Sequence, residues 1–219
     1  ASYMYICSNN TIRGTQYHFF PETGDVPLVA DMSSDILSRR VDANRFGVIF
    51  AGAQKNLGPA GVTLVIIRKD LAERVSSDVP TMLKYKTHIE KDSSFNTPPV
   101  FAIYMVRLVT DWILEQGGLD AVEKVNATKS HNLYEFIDLS LFYQGTAEPG
   151  DRSKMNVCFR LPEEALEKKF IAEAAENGLI GLKGHRSLGG IRASIYNAMP
   201  LDGVSTLIDF MSDFEDRNG

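Results

Sequence analysis

The sequence predicts an α/β protein in which a mainly parallel sheet is followed by a smaller α+β unit. Three observations predict it. Through the first half, short apolar, β-branched runs alternate with turn-rich or helical stretches, as the strands and crossovers of a parallel sheet do. Two long helical periods follow. The last third then changes rhythm to strand, helix, two strands and a closing helix.

Strands are expected at residues 3–7, 28–30, 48–51 and 62–67, short runs bounded by Gly, Asn, Asp or Pro. Between them, 33–37 and 70–75 read as short helices. Thr97 is placed to cap the next helix, with Pro98 and Pro99 in its first turn. Phe101, Tyr104, Met105, Leu108 and Trp112 recur at helical spacing, which assigns Trp112 to a core, until Gly117 and Gly118 stop the helix. The spacing of Leu119, Val122, Leu133, Phe136 and Ile137 predicts a longer helix to about Leu139 that links two units. Residues 144–154, rich in Gly, Pro and charge, are a loop. A strand at 156–161, a helix at 163–177 stopped by Gly178, strands at 180–183 and 191–195 and a helix at 201–214 complete the chain. The run from Glu163 to Lys169 carries charges in favourable i,i+4 order and reads as a solvated face. The domain boundary is drawn with residues 1–121 in the larger unit and 122–219 in the smaller, entered through the linking helix.

Of the 219 residues, 44% are hydrophobic and 23% charged, the balance of a folded globular protein. With 23 basic against 28 acidic residues the net charge is −5, so no global field gathers a polyanion and nucleic acid is not an expected partner. The longest apolar runs, 48–53 and 61–67, fall far short of the roughly 18 residues a membrane span needs, and no membrane association is expected. Cys7 and Cys158 lie far apart in apolar stretches, which argues against a disulfide and for a cytoplasmic protein. The four histidines show no metal-ligand spacing. The chain opens without Met on the apolar run 3–7, which reads as a cut chain.

Two side chains stand where a parallel sheet does chemistry. Asp31 ends an apolar strand, at the carboxyl edge where α/β proteins bind ligands, although an Asp there also forms turns. Lys55 is a lone lysine at the end of the next strand, among small, apolar and amide residues. Such a setting desolvates the amine, lowers its pKa and frees it as a nucleophile for a carbonyl; a surface loop lysine is the alternative. Gly52, Gly58 and Gly61 allow close backbone approach around it. One crossover separates Asp31 from Lys55, so two strand ends could hold both around a single ring, as pyridoxal phosphate enzymes do.

Five segments in order, Asp31-Met32-Ser33-Ser34, Gly52-Ala53-Gln54-Lys55-Asn56, Phe95-Asn96-Thr97-Pro98-Pro99, Gly184-His185-Arg186-Ser187 and Gly190-Ile191-Arg192-Ala193-Ser194, resemble the phosphoserine aminotransferases. The resemblance spans nearly the whole chain. It implies a fold type I, class V aminotransferase that uses pyridoxal 5′-phosphate to convert 3-phosphohydroxypyruvate and glutamate to phosphoserine and 2-oxoglutarate in serine biosynthesis. It makes Lys55 the Schiff-base lysine and general base between substrate Cα and cofactor C4′, and Asp31 the pyridinium partner. Thr11 matches the threonine on the cofactor's phenolic oxygen and Gln54 a contact to its phosphate. Asn96 and Thr97 match the pair that reaches the cofactor phosphate of the neighbouring subunit, implying a homodimer with shared active sites. Arg192 matches the fork on the substrate α-carboxylate, with His185 and Arg186 on the substrate's phosphate or side-chain carboxylate.

One departure from the family pattern is expected to matter. An N-terminal portion of roughly a hundred or more residues would precede Tyr3 in that family and supply the ring-stacking aromatic, phosphate donors and further basic groups. These 219 residues alone are therefore expected not to be a working transaminase, and a separate N-terminal fragment is a conceivable partner. Another class V enzyme, such as an alanine–glyoxylate aminotransferase or a cysteine desulfurase relative, is the second reading; Gly184-His185-Arg186 argues against it, because those enzymes need no phosphate grip. A non-catalytic fragment that keeps the fold is the third. Formation of 4-phosphohydroxythreonine for vitamin B6 synthesis is left open.

Overall fold

The computed structural model describes residues 2–219. Its first strand, β1 (Met4–Cys7), is followed by a minimal hairpin of β2 (Asn9–Asn10) and β3 (Thr15–Gln16). Next come β4 (Leu28–Asp31), β5 (Val48–Gly52) and β6 (Thr63–Ile67), which with β1 make one sheet in the order β1-β4-β5-β6. β1, β4 and β5 are parallel, with Cys7 beside Asp31 and Asp31 beside Phe50; β6 is antiparallel, with Gly52 beside Thr63. The sheet is thus mixed but mostly parallel. Its strands bury Ile6, Leu28, Ala30, Ile49 and Ala51 against Met32, Ile36, Phe46, Ala53 and Leu57.

Two short helices, α1 (Lys69–Ala72) and α2 (Tyr85–Ile89), lead to α3 (Val100–Glu115) and α4 (Gly118–Leu139). Beyond them lie β7 (Gln144–Gly145), β8 (Asn156–Arg160), α5 (Glu164–Glu176), β9 (Ile191–Ser194) and α6 (Leu201–Asn218). Strands β7, β8 and β9 form an antiparallel sheet, and α4, α5 and α6 cover it. The second core is rich in aromatic rings: Phe170 lies 5.1 Å from both Phe210 and Phe214, edge to face. Each such ring buried is worth about 1.5–3 kcal/mol. No helix of the described residues is long and apolar enough to cross a membrane.

Several elements differ from expectation, each for a local reason. Residues 33–37 make a single turn, closed by the Ile36 amide on the Met32 carbonyl at 2.8 Å and ended by Leu37 at φ +59°. Thr97 caps nothing; α3 starts at Val100 behind Pro99, because each proline pushes the residue before it out of helical conformation. Residues 180–183 form only an isolated bridge, Lys183 to Ile191, since Gly178 and Gly181 turn the chain at φ +80°. The loop 144–154 includes β7 and a 3-10 turn at Pro149–Asp151. On α3 only Ile113 is buried, and Phe101 is 74% exposed; Trp112 is half-buried. Among the described residues nothing covers the Phe101, Tyr104 and Leu108 face. Glu167, assigned to a solvated face, is buried on Arg160.

Candidate active site

The site begins where β5 ends. Ala53 pairs its amide with the Val62 carbonyl at 2.9 Å, and the Leu57 and Gly58 amides return to the Ala53 carbonyl at 3.2 and 2.8 Å. This single turn buries Ala53, Asn56 and Leu57 and leaves Lys55 half-buried at its top. Lys55 Nζ donates to Thr11 Oγ1 at 2.8 Å and lies 6.0 Å from the Tyr196 ring. Thr11 sits at the tip of the β2–β3 hairpin. There Asn10 Oδ1 accepts from the amides of Ile12 and Arg13 at 3.1 and 3.0 Å, the turn chemistry to which an Asn lends itself. Gly14 completes that tip at φ +71°, where a Cβ would meet the Asn156 carbonyl at 2.8 Å.

Asp31 stands at the same edge, one strand over. Its Oδ1 accepts from the Ser33 amide at 2.9 Å, and Ser33 Oγ accepts from the Gly52 amide at 3.0 Å. The two strand ends are thereby tied together. No described residue donates to the other Asp31 oxygen, so the carboxylate is held by its turn yet keeps an open acceptor. Gln54 is exposed beside Lys55, its amide folded back over Gly52.

The hairpin tip also walls a second cleft of about 200 Å³, lined by Ile12, Arg13, Cys158, Arg160, His185 and Arg192. Arg192 enters it from β9, and its Nε is buried without a hydrogen-bond partner. An unpaired buried guanidinium N–H is costly unless an anion or water meets it. Burial pushes the neighbouring Cys158 thiol up to about 11, an effect Arg192 partly offsets. His185 Nδ1 lies 2.7 Å from Ser187 Oγ, and Arg186 is exposed. Buried Glu167 holds this loop, accepting from Arg160 at 3.1 Å and from the Gly190 amide at 3.2 Å. A further cleft of about 670 Å³, between α5 and α6, is lined by Glu173, Glu176, Asp213 and Asp216 with Arg217, a mainly acidic wall.

The structure therefore brings Lys55, Thr11 and Asp31 to one edge, with Gln54 beside them. His185 and Arg192 share a neighbouring cleft joined to it by the hairpin. Asn96 and Thr97 stand apart, exposed before α3, where Asn96 Nδ2 donates only to the Thr97 carbonyl at 3.2 Å. Sequence reasoning missed Tyr196, Arg13, Arg160 and Glu167, whose relation to the site exists only through long-range packing. Asn9, whose amide donates to Ser34 Oγ and Asn156 Oδ1 at 2.8 and 2.9 Å, was missed for the same reason. Among the described residues no three His, Cys, Asp or Glu side chains gather as a metal site.

The model of the family described as Aminotransferase class-V matches residues 1–207. The phosphoserine aminotransferase of Syntrophobacter fumaroxidans is 60% identical over the whole chain, which covers 61% of that protein. Among solved structures, phosphoserine aminotransferase from Bacillus circulans subsp. alkalophilus superposes with TM-score 0.97 at 51% identity, over 99% of this chain and 60% of that one. The pyridoxal phosphate-bound phosphoserine aminotransferase of Trichomonas vaginalis gives 0.91 at 40%, over 96% of this chain and 60% of that one. The chain thus spans about 61% of the length of the curated relatives it matches.

Proposed function

Because this chain belongs to the class V aminotransferase family, we propose that it carries the reactive lysine and substrate-binding arginine of a phosphoserine aminotransferase. The reaction is transamination between 3-phosphohydroxypyruvate and glutamate, giving phosphoserine and 2-oxoglutarate in serine biosynthesis. The observation that carries this reading is the Lys55 Nζ to Thr11 Oγ1 contact of 2.8 Å at the edge where Asp31 ends β4.

The residues present fit pyridoxal phosphate. A half-buried amine, a hydroxyl beside it and a carboxylate with an open oxygen answer its aldehyde, phenol oxygen and ring nitrogen, while half-buried Arg192, whose Nε is buried without a partner, answers the substrate's carboxylate. Lys55 would hold the cofactor, with Thr11, Asp31 and Gln54 around it, and Asn96 and Thr97 would reach the cofactor of a second copy. When bound, pyridoxal phosphate supplies the electron sink that makes the α-hydrogen of an amino acid acidic.

The chain's own part is binding and proton movement. Lys55 Nζ, hydrogen-bonded to Thr11, is the base that takes the α-proton and later returns it. With the cofactor bound, the Asp31 carboxylate would stabilise a proton on its ring nitrogen, through charge at close range. Arg192 grips the α-carboxylate with its planar fork, while His185 and Arg186 meet the phosphate of phosphoserine or the side-chain carboxylate of glutamate.

Further parts of the proposal are a division into units at 1–121 and 122–219, a homodimer with shared sites, a cytoplasmic location, a separate N-terminal segment as an added partner and a second role in pyridoxine biosynthesis. The test is glutamate-dependent conversion of 3-phosphohydroxypyruvate by the chain complemented with that N-terminal segment. Lys55→Ala should lose it while folding like the parent; retained turnover would refute the reading.

A further inference from the structure

Lys129 is the largest fully buried side chain among the described residues, at 0% exposure in the middle of α4. Among the described residues no carboxylate pairs with it. Its ammonium instead donates to three carbonyls, those of Ile195 at 3.0 Å, Tyr196 at 2.8 Å and Met199 at 2.9 Å. An ammonium has three donors, and here all three converge on one turn. A Leu or Met would fill the same space without desolvating a charge, so filling space does not explain a lysine.

The other side of that turn faces the candidate site. The Asn197 amide donates to Asn56 Oδ1 at 3.0 Å, next to Lys55, and Asn197 Nδ2 donates to the Leu37 carbonyl at 2.9 Å. Asn126, one helical turn before Lys129, donates to Asn197 Oδ1 at 2.8 Å. The Tyr196 ring lies 6.0 Å from Lys55 Nζ, and its hydroxyl accepts from Asn156 Nδ2 at 3.0 Å. The 195–199 turn is therefore pinned between α4 and the loop that carries Lys55.

We propose that Lys129 is a positioning residue, whose ammonium holds the 195–199 turn so that Tyr196 and Asn197 are set against Lys55 and Asn56. This rests on the reading of Lys55 as the reactive amine. Removing the ammonium leaves three carbonyls converging without donors; they repel one another, the turn opens and the Tyr196 ring withdraws from Lys55.

Competitive acetylation with acetic anhydride, read by peptide mass mapping on the ligand-free protein, tests it. Lys129→Met should raise the labelling rate of Lys55 relative to Lys69 and Lys84 at least threefold, because the amine loses its cover. Tyr196→Leu keeps the ammonium and should raise the same ratio, and it decides the matter if Lys129→Met does not fold. General destabilisation would not single out Lys55. An unchanged ratio in Tyr196→Leu, or in a folded Lys129→Met, overturns the proposal. Turnover of Lys55→Ala, complemented with the N-terminal segment, is read separately against the complemented parent: if it is lost while the ratio stays unchanged, only the positioning role fails; if it is kept, the functional reading fails first.

Discussion

Asp31 has one oxygen committed to the Ser33 amide and one open, so a neutral amide can keep the turn while losing the charge. A charge at close range moves a partner's pKa by about 1–3 units. Asp31→Asn is accordingly expected to fold and melt like the parent while single-turnover transamination slows on the order of 10- to 1000-fold. An unchanged rate would reduce Asp31 to a turn former. Arg192→Lys keeps the charge but not the fork, and kcat/KM for glutamate and phosphoserine should fall together, about tenfold or more. A loss confined to one substrate would move Arg192 off the common carboxylate. His18 gives a pH test. Burial lowers its pKa below the ordinary 6.5, and its Nε2 lies 3.0 Å from the Arg152 carbonyl. The unfolded chain therefore takes up the proton first, and stability is lost as pH falls through about 6.5. In urea titrations at pH 5 and 8, His18→Gln should show the smaller drop; an equal drop would place the acid sensitivity elsewhere. Lys55 and Asp31 stand out in the sequence because each breaks an apolar pattern at a strand end, whereas Arg192 is reached only through the family resemblance. Lys129 and Glu167 broke no pattern, since charges on helices are ordinary until the fold buries them.

At the scale of elements, the hairpin tip between β2 and β3 connects the Lys55 edge to the Arg192 cleft, and it closes only because Gly14 adopts φ +71° against the Asn156 carbonyl. Gly14→Ala combines a strained backbone with a close contact and should cost about 1–3 kcal/mol, read as a lower urea midpoint with an unchanged m-value. No loss would mean the tip yields freely. The four strands of the main sheet were readable to within a residue or so, because apolar runs with turn residues at both ends admit few alternatives. The β2–β3 hairpin was not, having two residues per strand and no alternation to detect. The start of α3 was misplaced because two consecutive prolines fit a first turn by composition but exclude it by sterics.

Across the whole molecule, two cores are joined by α4 and by the 195–199 turn, and the candidate site lies along that seam. Asn96 and Thr97 stand exposed before α3, and within this chain Asn96 Nδ2 meets only the Thr97 carbonyl. Under the proposed two-fold arrangement, mixing Lys55→Ala with an Asn96→Ala, Thr97→Ala double variant should restore part of the activity in hybrid dimers; hybrids that form without activity would count against shared sites. The central claim is that Lys55 is the amine that takes pyridoxal phosphate. Incubating the protein with that cofactor, reducing with borohydride and mapping the peptides should place the pyridoxyl group on Lys55 alone. Its appearance on Lys69 or Lys84 in place of Lys55 would contradict the account.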